Sequence, residues 1–573
     1  MLLSILTLST LADQQRLVLA DNGKSDYSIV LPTDPTPAER RAAEELQRYV
    51  KEISGAELPI APPGQTPSKA ILLGNAQTNP VIAQSPLRPE AALGMEGYAL
   101  FTHGQSLIVY GGRPRGVLYG VYGLLEDHLG CRWYTSEVGK IPKRDRIEIG
   151  ELNETVIPSF EYREPFWTEA WDTDWAARNR CNGNFMRLGE REGGKIGFQP
   201  FVHSFYEILP PAQYFEEHPE YYSEIDGKRK HEGAQLCLTN TDVMKLTVDK
   251  VRQWIAEKPE ARIFSVSQND WYGQCQCEQC RLVYEEEGAP SGLVLRFVNE
   301  VAAAIAQDHP DKLIETLAYQ WTEKTPKLAR PHPNVRVRMA PIGNCFGHPI
   351  DQCPVNKEPF ANLQAWAKIT DNLYIWHYNT NFAHYFIPFP DFDELQGSNR
   401  AYKANGVKGL FYQGAYGPGG GGESSELKAW FQAKILWNAK LDVWPLVEEF
   451  VNAVYEDAAP PILAYYKSMH ETVKQNNIHF KIFDDPKTLG YLNEDSLAKA
   501  ERLFDQAEEA VKDKPAVLSR VQKLRLSIDY AQLRLSDDKE KYAKIVAEKV
   551  KRFGIGQARE GQPIDAFLKS IGQ

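Results

Sequence analysis

The chain has 573 residues, of which 43% are hydrophobic and 25% charged, a composition typical of soluble globular proteins rather than disordered or fibrous ones. Its formal net charge is -11 and no long Lys or Arg run is visible, so we expect no nucleic-acid partner. Aromatic residues make up 11% of the chain, which supplies flat rings for core packing and for stacking on sugars.

The chain starts with a short apolar run from Met1 to Ala12. The run resembles the hydrophobic part of a secretory signal peptide but lacks a basic segment in front of it. We interpret residues 1–15 as a possible signal remnant and expect a secreted or periplasmic bacterial protein, with a first β-strand or a disordered end as the alternative. No later stretch approaches the roughly 18 apolar residues that a spanning helix needs, so we expect no membrane span.

Residues 16–150 alternate between strand-like and helix-like patterns. Thr36-Pro37 predicts a helix start, and apolar residues then recur at the helical period as far as Ile53. A second amphipathic helix is predicted over residues 115–126, and apolar runs predict strands at 28–31, 71–74, 97–101 and 106–110. We therefore predict a small α+β accessory domain, which ends in the polar stretch between Pro142 and Pro158.

Residues 158–440 contain eight short apolar runs, mostly separated by helix-sized intervals. The runs cover residues 160–167, 196–203, 236–239, 262–269, 314–320, 335–342, 372–377 and 409–413. This count predicts a closed parallel (β/α)8 barrel, the TIM barrel, within an α/β protein. Each run ends in polar or aromatic residues, and enzyme barrels carry their chemistry at that end of the strands.

The remaining sequence is dominated by helical patterns. Apolar stripes predict helices over residues 444–455, 462–475, 496–512 and 516–535, so we expect residues 441–573 to form a helical C-terminal domain. Between the last predicted strand and these helices lies a glycine-rich segment, residues 417–422, which could form an active-site loop.

The fourth predicted strand ends in the pair Asn269-Asp270. Glycoside hydrolysis usually needs one carboxyl group to protonate the leaving oxygen and a second group to stabilise or attack the sugar centre. We predict that Asp270 is the general acid and that Asn269 faces the same pocket, with an ordinary turn or helix cap as the alternative. Glu423 and Glu426 are candidates for the second carboxyl group, although their segment also resembles a plain helix start.

Glu315 is a weaker candidate because it lies early on its predicted strand, near the barrel floor. A carboxylate buried there would need a basic partner. Around these acids, side chains at predicted strand ends are suited to holding a sugar, although such aromatics also form packing layers and a lone His is often structural. The predicted substrate-binding residues are Trp167, Arg180, His203, Trp271, Tyr319, Trp376, His377, Tyr378 and Tyr416.

The chain has eight cysteines, including the tight motif Cys275-Gln-Cys277-Glu-Gln-Cys280. Three ligands do not complete a zinc or iron-sulfur site, and no second CxxC motif is present. We therefore expect structural disulfides, such as Cys345 with Cys353 or one within residues 275–280, with a metal site as the weaker alternative, and we predict no metal ligand and no cofactor.

Two stretches resemble known families. Residues 43–49, 53–55, 71–74, 97–98, 115–126 and 130–133 resemble the accessory domain that precedes the barrel in family 67 α-glucuronidases and family 20 hexosaminidases. Segments 218–222, 235–240, 265–270 and 426–437, together with the cysteine motif, resemble the domain of unknown function 4838, a group that overlaps glycoside hydrolase family 163.

The second resemblance implies a retaining endo-β-N-acetylglucosaminidase acting on complex N-glycans. In such a reaction the 2-acetamido oxygen of the substrate can attack the anomeric carbon, with Asn269, Tyr319 or a nearby acid orienting the group. The sequence departs from family 20 at one point, because Asn-Asp stands where that family has Asp-Glu.

We therefore predict a glycosidase that cleaves N-glycans or related glycans, with a glycan as its partner. A hydrolase of uronic-acid-containing or other polysaccharide oligomers and a non-catalytic carbohydrate-binding protein are the alternatives. The sequence leaves the oligomeric state open.

Overall fold

The computed structural model describes residues 16–62, 65 and 67–573, and it divides into two compact units. The first unit comprises the described residues up to Trp133 together with Gly139–Pro158 and Leu188–Gly194. The second comprises Tyr134–Val138, Ser159–Arg187 and Lys195–Gln573. The apolar run interpreted as a signal remnant lies outside the described residues. The parallel sheet and the C-terminal helices share the second unit, so a domain boundary at residue 440 stays a prediction.

The first unit has a mixed six-stranded sheet in the order β10-β5-β6-β4-β2-β3. Helix α1 begins where predicted, because Thr36 accepts a hydrogen bond from the backbone of Glu39 while Glu39 accepts one from Thr36. The helices are α1 (Pro37–Ser54), α2 (Pro80–Gln84) and α3 (Gly116–Gly123). The strands are β1 (Leu17–Asp21), β2 (Ser28–Val30), β3 (Ile60–Ala61), β4 (Ala70–Gly74), β5 (Tyr98–His103), β6 (Ser106–Gly111), β7 (Arg132–Trp133), β8 (Gly139–Lys140), β9 (Arg146–Ile149) and β10 (Asn153–Val156).

The second unit is built on a parallel six-stranded sheet in the order β11-β18-β17-β16-β15-β14. These strands coincide with six of the eight predicted runs. They are β11 (Tyr162–Phe166), β14 (Ile263–Ser265), β15 (Leu313–Ala318), β16 (Val335–Met339), β17 (Leu373–Tyr378) and β18 (Gly409–Gln413). The short strands β12 (Glu224–Ile225) and β13 (Lys228–Arg229) form a separate hairpin.

The prediction of eight strands was wrong at two runs. Residues 196–203 contribute only an isolated parallel bridge from Phe198 to Ile263, and residues 236–239 only an antiparallel bridge from Leu236 to Tyr222. Pro200 has no N–H to donate to a ladder, which disfavours a regular strand in the first run. The described part of the chain therefore has a parallel half-barrel sheet within a mixed α/β fold.

Helices cover this sheet and fill the C-terminal region. The four helices predicted beyond residue 441 are confirmed as α13 to α16. The helices of the unit are α4 (Thr173–Arg178), α5 (Phe205–Ile208), α6 (Pro211–Tyr214), α7 (Thr241–Glu257), α8 (Glu278–Glu287), α9 (Ser291–Asp308), α10 (Lys357–Ala367), α11 (Phe392–Ala404), α12 (Ser425–Trp437), α13 (Val443–Tyr455), α14 (Ala459–Gln475), α15 (Glu494–Ala510), α16 (Pro515–Leu535), α17 (Lys539–Arg552) and α18 (Ile564–Ser570). A last hairpin, β19 (Gln557–Arg559) and β20 (Gln562–Pro563), lies between α17 and α18.

No single helix among the described residues combines the length and apolarity that crossing a bilayer requires. Only α8 and α9 taken together would, and they are bent by 102°.

A buried ion pair crosses the sheet between Glu315 on β15 and Arg338 on β16. Arg338 Nε lies 2.7 Å from Glu315 Oε1, and both side chains are buried. Arg338 also donates to the carbonyl of Phe201, and Ser265 Oγ donates to the second carboxylate oxygen of Glu315. The expectation that a buried Glu315 needs a basic partner is confirmed.

We expect Glu315→Gln to destabilise the second unit by about 3–5 kcal/mol, because it leaves the Arg338 charge buried and unpaired. The measurement is the midpoint of thermal unfolding. The double variant Glu315→Leu/Arg338→Met serves as the control, and it should lose less stability because neither charge remains. A single variant as stable as the wild type would contradict the prediction.

Candidate functional site

A cavity of about 260 Å³ opens at the carboxyl ends of the parallel strands. Side chains from β17 and β18, and from the segments that follow β14, β15 and β16, meet there. The lining residues are His203, Asp270, Leu317, Tyr319, Ala340, Ile342, Trp376, Tyr378, Phe382, Gln413, Tyr416, Ile482, Phe483 and Glu560. Because chemistry in sheets of this kind is placed beyond the carboxyl ends of the strands, this cavity is the candidate active site.

Asp270 is the first of two carboxylates in the cavity, and its side chain is 57% exposed. Tyr319 Oη donates a hydrogen bond of 3.0 Å to Asp270 Oδ1 and accepts one of 2.9 Å from Gln320 Nε2. His203 Nε2 lies 3.8 Å from the same carboxylate oxygen. The hydroxyl bond fixes the position of the Asp270 carboxyl group in the cavity.

The backbone around Asp270 adopts a conformation that side chains rarely favour. His203 has a φ of 55° and Gln320 a φ of 52°, both in the left-handed region. Such residues cost about 1–3 kcal/mol each and cluster at functional sites. The His203 ring is fixed by a contact of 2.7 Å between its Nδ1 and the carbonyl of Gln268. The fold therefore holds both side chains beside Asp270 at an energetic cost.

Glu560 is the second carboxylate, and it lies in the turn between β19 and β20. Its Oε1 accepts hydrogen bonds from Tyr416 Oη at 3.0 Å and from Gln413 Nε2 at 3.1 Å. Gln413 is oriented in turn by Trp376, whose Nε1 donates to Gln413 Oε1 at 2.8 Å. Burial raises the pKa of Glu560 above its usual range and the Asp270 charge adds to this, against the two hydrogen bonds. The raised pKa keeps Glu560 protonated to a higher pH, which suits a proton donor.

The glycine-rich segment anchors the turn that carries Glu560. Gly556 donates a backbone hydrogen bond of 2.7 Å to the carbonyl of Pro418. Gly419 has a φ of 77°, and a Cβ there would lie 1.9 Å from the carbonyl oxygen of Gly554. Only glycine permits this approach. The glycine-rich loop therefore contacts the segment before the β19–β20 hairpin and helps to position Glu560.

Aromatic rings form much of the cavity wall. They come from Tyr319, Trp376, Tyr378, Phe382, Tyr416 and Phe483. Phe483 is 55% exposed, which is unusual for a large apolar side chain. Burial raises the pKa of Tyr378 well above its usual range, and the charges of Asp270 and Glu560 contribute. The Tyr378 hydroxyl therefore stays protonated and can donate a hydrogen bond within the cavity.

The structure brings six of the predicted site residues into this cavity: His203, Asp270, Tyr319, Trp376, Tyr378 and Tyr416. Asn269 lies beneath it and is buried, with Nδ2 donating to the carbonyl of Ala234 and Oδ1 accepting from the backbone of Tyr206. Trp271 is 39% exposed and donates to the same carbonyl. The amide of Asn269 is thus engaged by the backbone rather than turned to the cavity.

Three other predicted binding residues are buried in packing positions and do not line the cavity. Trp167 Nε1 donates to Gln432 Oε1 at 2.8 Å. The Arg180 guanidinium lies 5.1 Å from the ring centre of Trp437. His377 contacts Tyr402 and Glu394 through its two ring nitrogens.

Glu423 and Glu426 line a different cavity, beside Arg520 and Lys523. Lys428 Nζ lies 3.0 Å from Glu423 Oε2 and 3.0 Å from Asp391 Oδ1, and all three side chains are buried. Burial raises the pKa of Asp391 to about 7. Glu426 lies 3.3 Å from Lys523 Nζ. Glu423 and Glu426 therefore form ion pairs at the start of α12, in a cavity that Asp270 does not line.

Eight lining residues were not predicted as site residues from the sequence: Leu317, Ala340, Ile342, Phe382, Gln413, Ile482, Phe483 and Glu560. Gln413 ends the last predicted strand, so its position alone was a usable signal. Glu560 precedes Gly561 in a short hairpin beyond all the predicted helices. An acid in such a turn resembles any solvent-exposed side chain, and only the fold brings it into the same cavity as Asp270.

Two family models match the sequence. One is described as domain of unknown function (DUF4838) and matches residues 133–467. The other is described as glycosyl hydrolase family 67 N-terminus and matches residues 15–124. No curated protein sequence matches the chain.

Solved structures with a similar fold are glycoside hydrolases. A family GH115 4-O-methyl-α-glucuronidase, BtGH115A, with specificity for decorated arabinogalactans, is 12% identical with a TM-score of 0.56 over 97% of this chain and 76% of that one. The structure named CpGH84B is 10% identical with a TM-score of 0.51 over 97% of both chains. A family 89 glycoside hydrolase from Clostridium perfringens in complex with PUGNAc is 9% identical with a TM-score of 0.50 over 90% of this chain and 64% of that one. At these identities the likeness concerns the fold.

Proposed function

The chain belongs to the DUF4838 family, and we propose that it is a glycoside hydrolase whose reaction takes place in the cavity shared by Asp270 and Glu560. The observation that carries this proposal is the contrast between the two carboxylates. Glu560 is partly buried with a raised pKa, whereas Asp270 is exposed and accepts a hydroxyl hydrogen bond. Two acids whose environments differ in this way suit the two roles of glycoside hydrolysis.

In the proposed reaction Glu560 is the general acid. It gives its proton to the glycosidic oxygen as the bond to the anomeric carbon breaks. The Asp270 carboxylate stabilises the positive charge that develops on the sugar ring. This assignment moves the acid role from Asp270, where the sequence placed it, to Glu560.

We propose β-linked N-acetylglucosamine in N-glycans or related glycans as the substrate, cleaved with retention. A 2-acetamido group presents one N–H donor and one carbonyl acceptor. The Asp270 carboxylate can accept from the N–H, and the Tyr378 hydroxyl can donate to the carbonyl oxygen. Held in this way, the carbonyl oxygen can attack the anomeric carbon as the glycosidic bond breaks. A water molecule that gives its proton to Glu560 then displaces the carbonyl oxygen, which completes hydrolysis with retention. The ring of Trp376 offers a face for the sugar.

We also propose that the parallel sheet closes into a barrel-like ring, with six regular strands and irregular backbone in place of the other two predicted strands. The edge strands are linked by irregular backbone, since Asn182 donates to the carbonyl of Arg163 on β11 and Ile196 donates to the carbonyl of Asn182. Gln199 then donates to the carbonyl of Ile263 on β14. This path supports a ring that closes through residues 182–199.

We also propose that the protein is exported, on the basis of the apolar run at residues 1–12.

The test is a substrate panel with product analysis by mass spectrometry. The panel contains complex N-glycans, chito-oligosaccharides and uronic-acid-containing oligomers, each incubated with the wild type and with the double variant Asp270→Asn/Glu560→Gln. We expect cleavage next to N-acetylglucosamine by the wild type alone. Cleavage of uronic-acid oligomers only would overturn the proposed substrate. Binding without any cleavage would overturn the proposed hydrolase and favour a carbohydrate-binding protein.

The pairing of Tyr319 with Asp270 gives a further prediction. Tyr319→Phe removes a hydrogen bond to a charged group, which is worth about 1.5–3 kcal/mol, so kcat should fall by about 10- to 100-fold. The control is Tyr272→Phe, at a tyrosine that is 61% exposed and does not line the cavity. Steady-state kinetics on the cleaved glycan measures both variants, and equal rates for the two would count against the role of Tyr319.

A further inference from the structure

Four cysteine sulfurs converge in the second unit outside the candidate active site. The three cysteines of the CxCxxC motif are joined by Cys237, and their Sγ atoms all lie within 4.8 Å of one another. The expectation of only three ligands was therefore wrong, because the fourth comes from a distant part of the sequence. The expected disulfides are also not formed, since all eight cysteines are free thiols in this structure.

The spacing of these sulfurs fits a tetrahedral metal better than a disulfide. Cys237 Sγ lies 3.8 Å from Cys277 Sγ and 3.9 Å from Cys280 Sγ. Four thiolates at the usual zinc–sulfur distance around one tetrahedral ion lie about 3.8 Å apart. A disulfide would require a sulfur–sulfur distance of about 2.05 Å. An iron-sulfur cluster would hold the four sulfurs farther apart, because bridging sulfides separate its iron atoms.

Cys237, Cys275, Cys277 and Cys280 form the Cys237 cluster. The groups around this cluster stabilise thiolates. The backbone N–H of Glu224 donates to Cys275 Sγ at 3.3 Å, and Arg229 Nη1 donates to the same sulfur at 3.7 Å. Thr239 Oγ1 lies 3.3 Å from Cys280 Sγ. Four thiolates around a divalent ion leave a net charge of -2, which the Arg229 cation partly offsets. Donors of this kind are the usual outer partners of a metal site.

A second cluster, carried by different residues, has the same character. Cys345, His348, Cys353 and His479 each direct one ligand atom to a common point, again within 4.8 Å of one another. His479 Nδ1 lies 3.3 Å from Cys345 Sγ and 3.5 Å from Cys353 Sγ, and His348 Nδ1 lies 3.6 Å from Cys345 Sγ. Sulfur and nitrogen ligands of a tetrahedral zinc lie about 3.6 Å apart. Two cysteines and two histidines make a complete zinc ligand set.

We propose that each cluster binds one structural zinc ion and that the two ions hold in place the chain segments that border the cavity. The Cys237 cluster takes three ligands from residues 275–280, directly after Asp270 and Trp271. The second cluster links the segment after β16 to His479, and Ile482 and Phe483 of the cavity wall follow His479. Protein side chains fill all four coordination positions in both clusters. Neither ion therefore has a position open for substrate or water, and both have a structural role. This inference stands independently of the proposed activity.

The first test measures the metal content of the full-length wild type, purified without chelators, by inductively coupled plasma mass spectrometry. We expect two zinc ions per chain. In parallel, the protein is denatured with a chelator and alkylated without reductant, and the intact mass should show eight modified thiols. Iron in place of zinc, or fewer than eight modified thiols, would overturn the proposal at the cluster concerned.

The second test assigns the ions to the clusters. Cys237→Ser and Cys353→Ser should each retain one zinc, and the matched control Cys131→Ser, at a buried cysteine outside both clusters, should retain two. Cobalt bound by the chelator-treated wild type gives a second reading that does not depend on activity, since tetrahedral thiolate coordination produces characteristic absorption. Two zinc ions retained by either cluster variant, or no such absorption in the wild type, would contradict the assignment.

Discussion

Replacing Asp270 with Asn is expected to lower kcat for glycan cleavage by about 10²- to 10⁴-fold, the range for loss of a group that acts in the transition state. The amide keeps the size of the side chain and can still accept from Tyr319, but it carries no negative charge. Without that charge, neither the sugar cation nor an acetamido N–H is stabilised. Steady-state kinetics on the glycan found to be cleaved provides the measurement.

The fold should survive the Asp270 substitution. Its side chain is 57% exposed, and changes at such positions usually shift stability by no more than about 0.5 kcal/mol. The thermal unfolding midpoint of Asp270→Asn should therefore match the wild type. Asp249→Asn on the exposed face of α7 is a control with the same chemical change, and it should keep full activity. Undiminished turnover by Asp270→Asn would remove Asp270 from the mechanism.

Replacing Glu560 with Gln should have an effect that depends on the leaving group. The leaving group of a natural glycan is a sugar alkoxide, which departs poorly unless it is protonated. Hydrolysis of natural glycans should therefore fall by about 10²- to 10⁴-fold. An aryl glycoside with an acidic phenol needs little protonation, so its cleavage should remain within about tenfold of wild type if Glu560 acts as the acid. Parallel kinetics on the two substrates measures the difference. Equal losses on both would show that Glu560 is not the proton donor.

The pH dependence of kcat gives a second test of Glu560 as the general acid. Its pKa is raised, and a general acid works only while protonated, so wild-type kcat should fall as the pH rises through that pKa. Glu560→Gln should lack this alkaline decline. Glu548→Gln, on the exposed surface of α17, is the control and should keep the wild-type profile. An unchanged alkaline limb in Glu560→Gln would assign that limb to another group.

The elements with strong local signals were predictable from the sequence. Helix α1 is defined by the Thr36 cap and its apolar stripe, and helices α13 to α16 by their apolar stripes. Six strands of the parallel sheet were found as apolar runs ending in polar residues. The run at 196–203 has similar composition, yet its backbone bonds pass to Asn182 and Ile263 as irregular structure. Tertiary context overrides local pattern there.

The candidate site could be predicted only as far as it follows strand ends. Asp270, Tyr319 and Trp376 come directly after or within strands, so their convergence follows from the parallel sheet. Glu423 and Glu426 also follow a strand, but Lys428 and Lys523 pair with them elsewhere. Glu560 and Cys237 come from distant segments, and no spacing rule relates either of them to Asp270 or to the CxCxxC motif. Long-range partners of this kind emerge only from the folded chain.

The hairpin that carries Glu560 is separated from β18 by the whole helical region. During translation, the ribosome therefore releases every strand of the sheet, with Asp270 in place, well before Glu560 is made. A nascent polypeptide at that stage would hold one half of the proposed acid pair. The proposed hydrolysis would then require residue 560 to have been made and bonded to Tyr416 and Gln413.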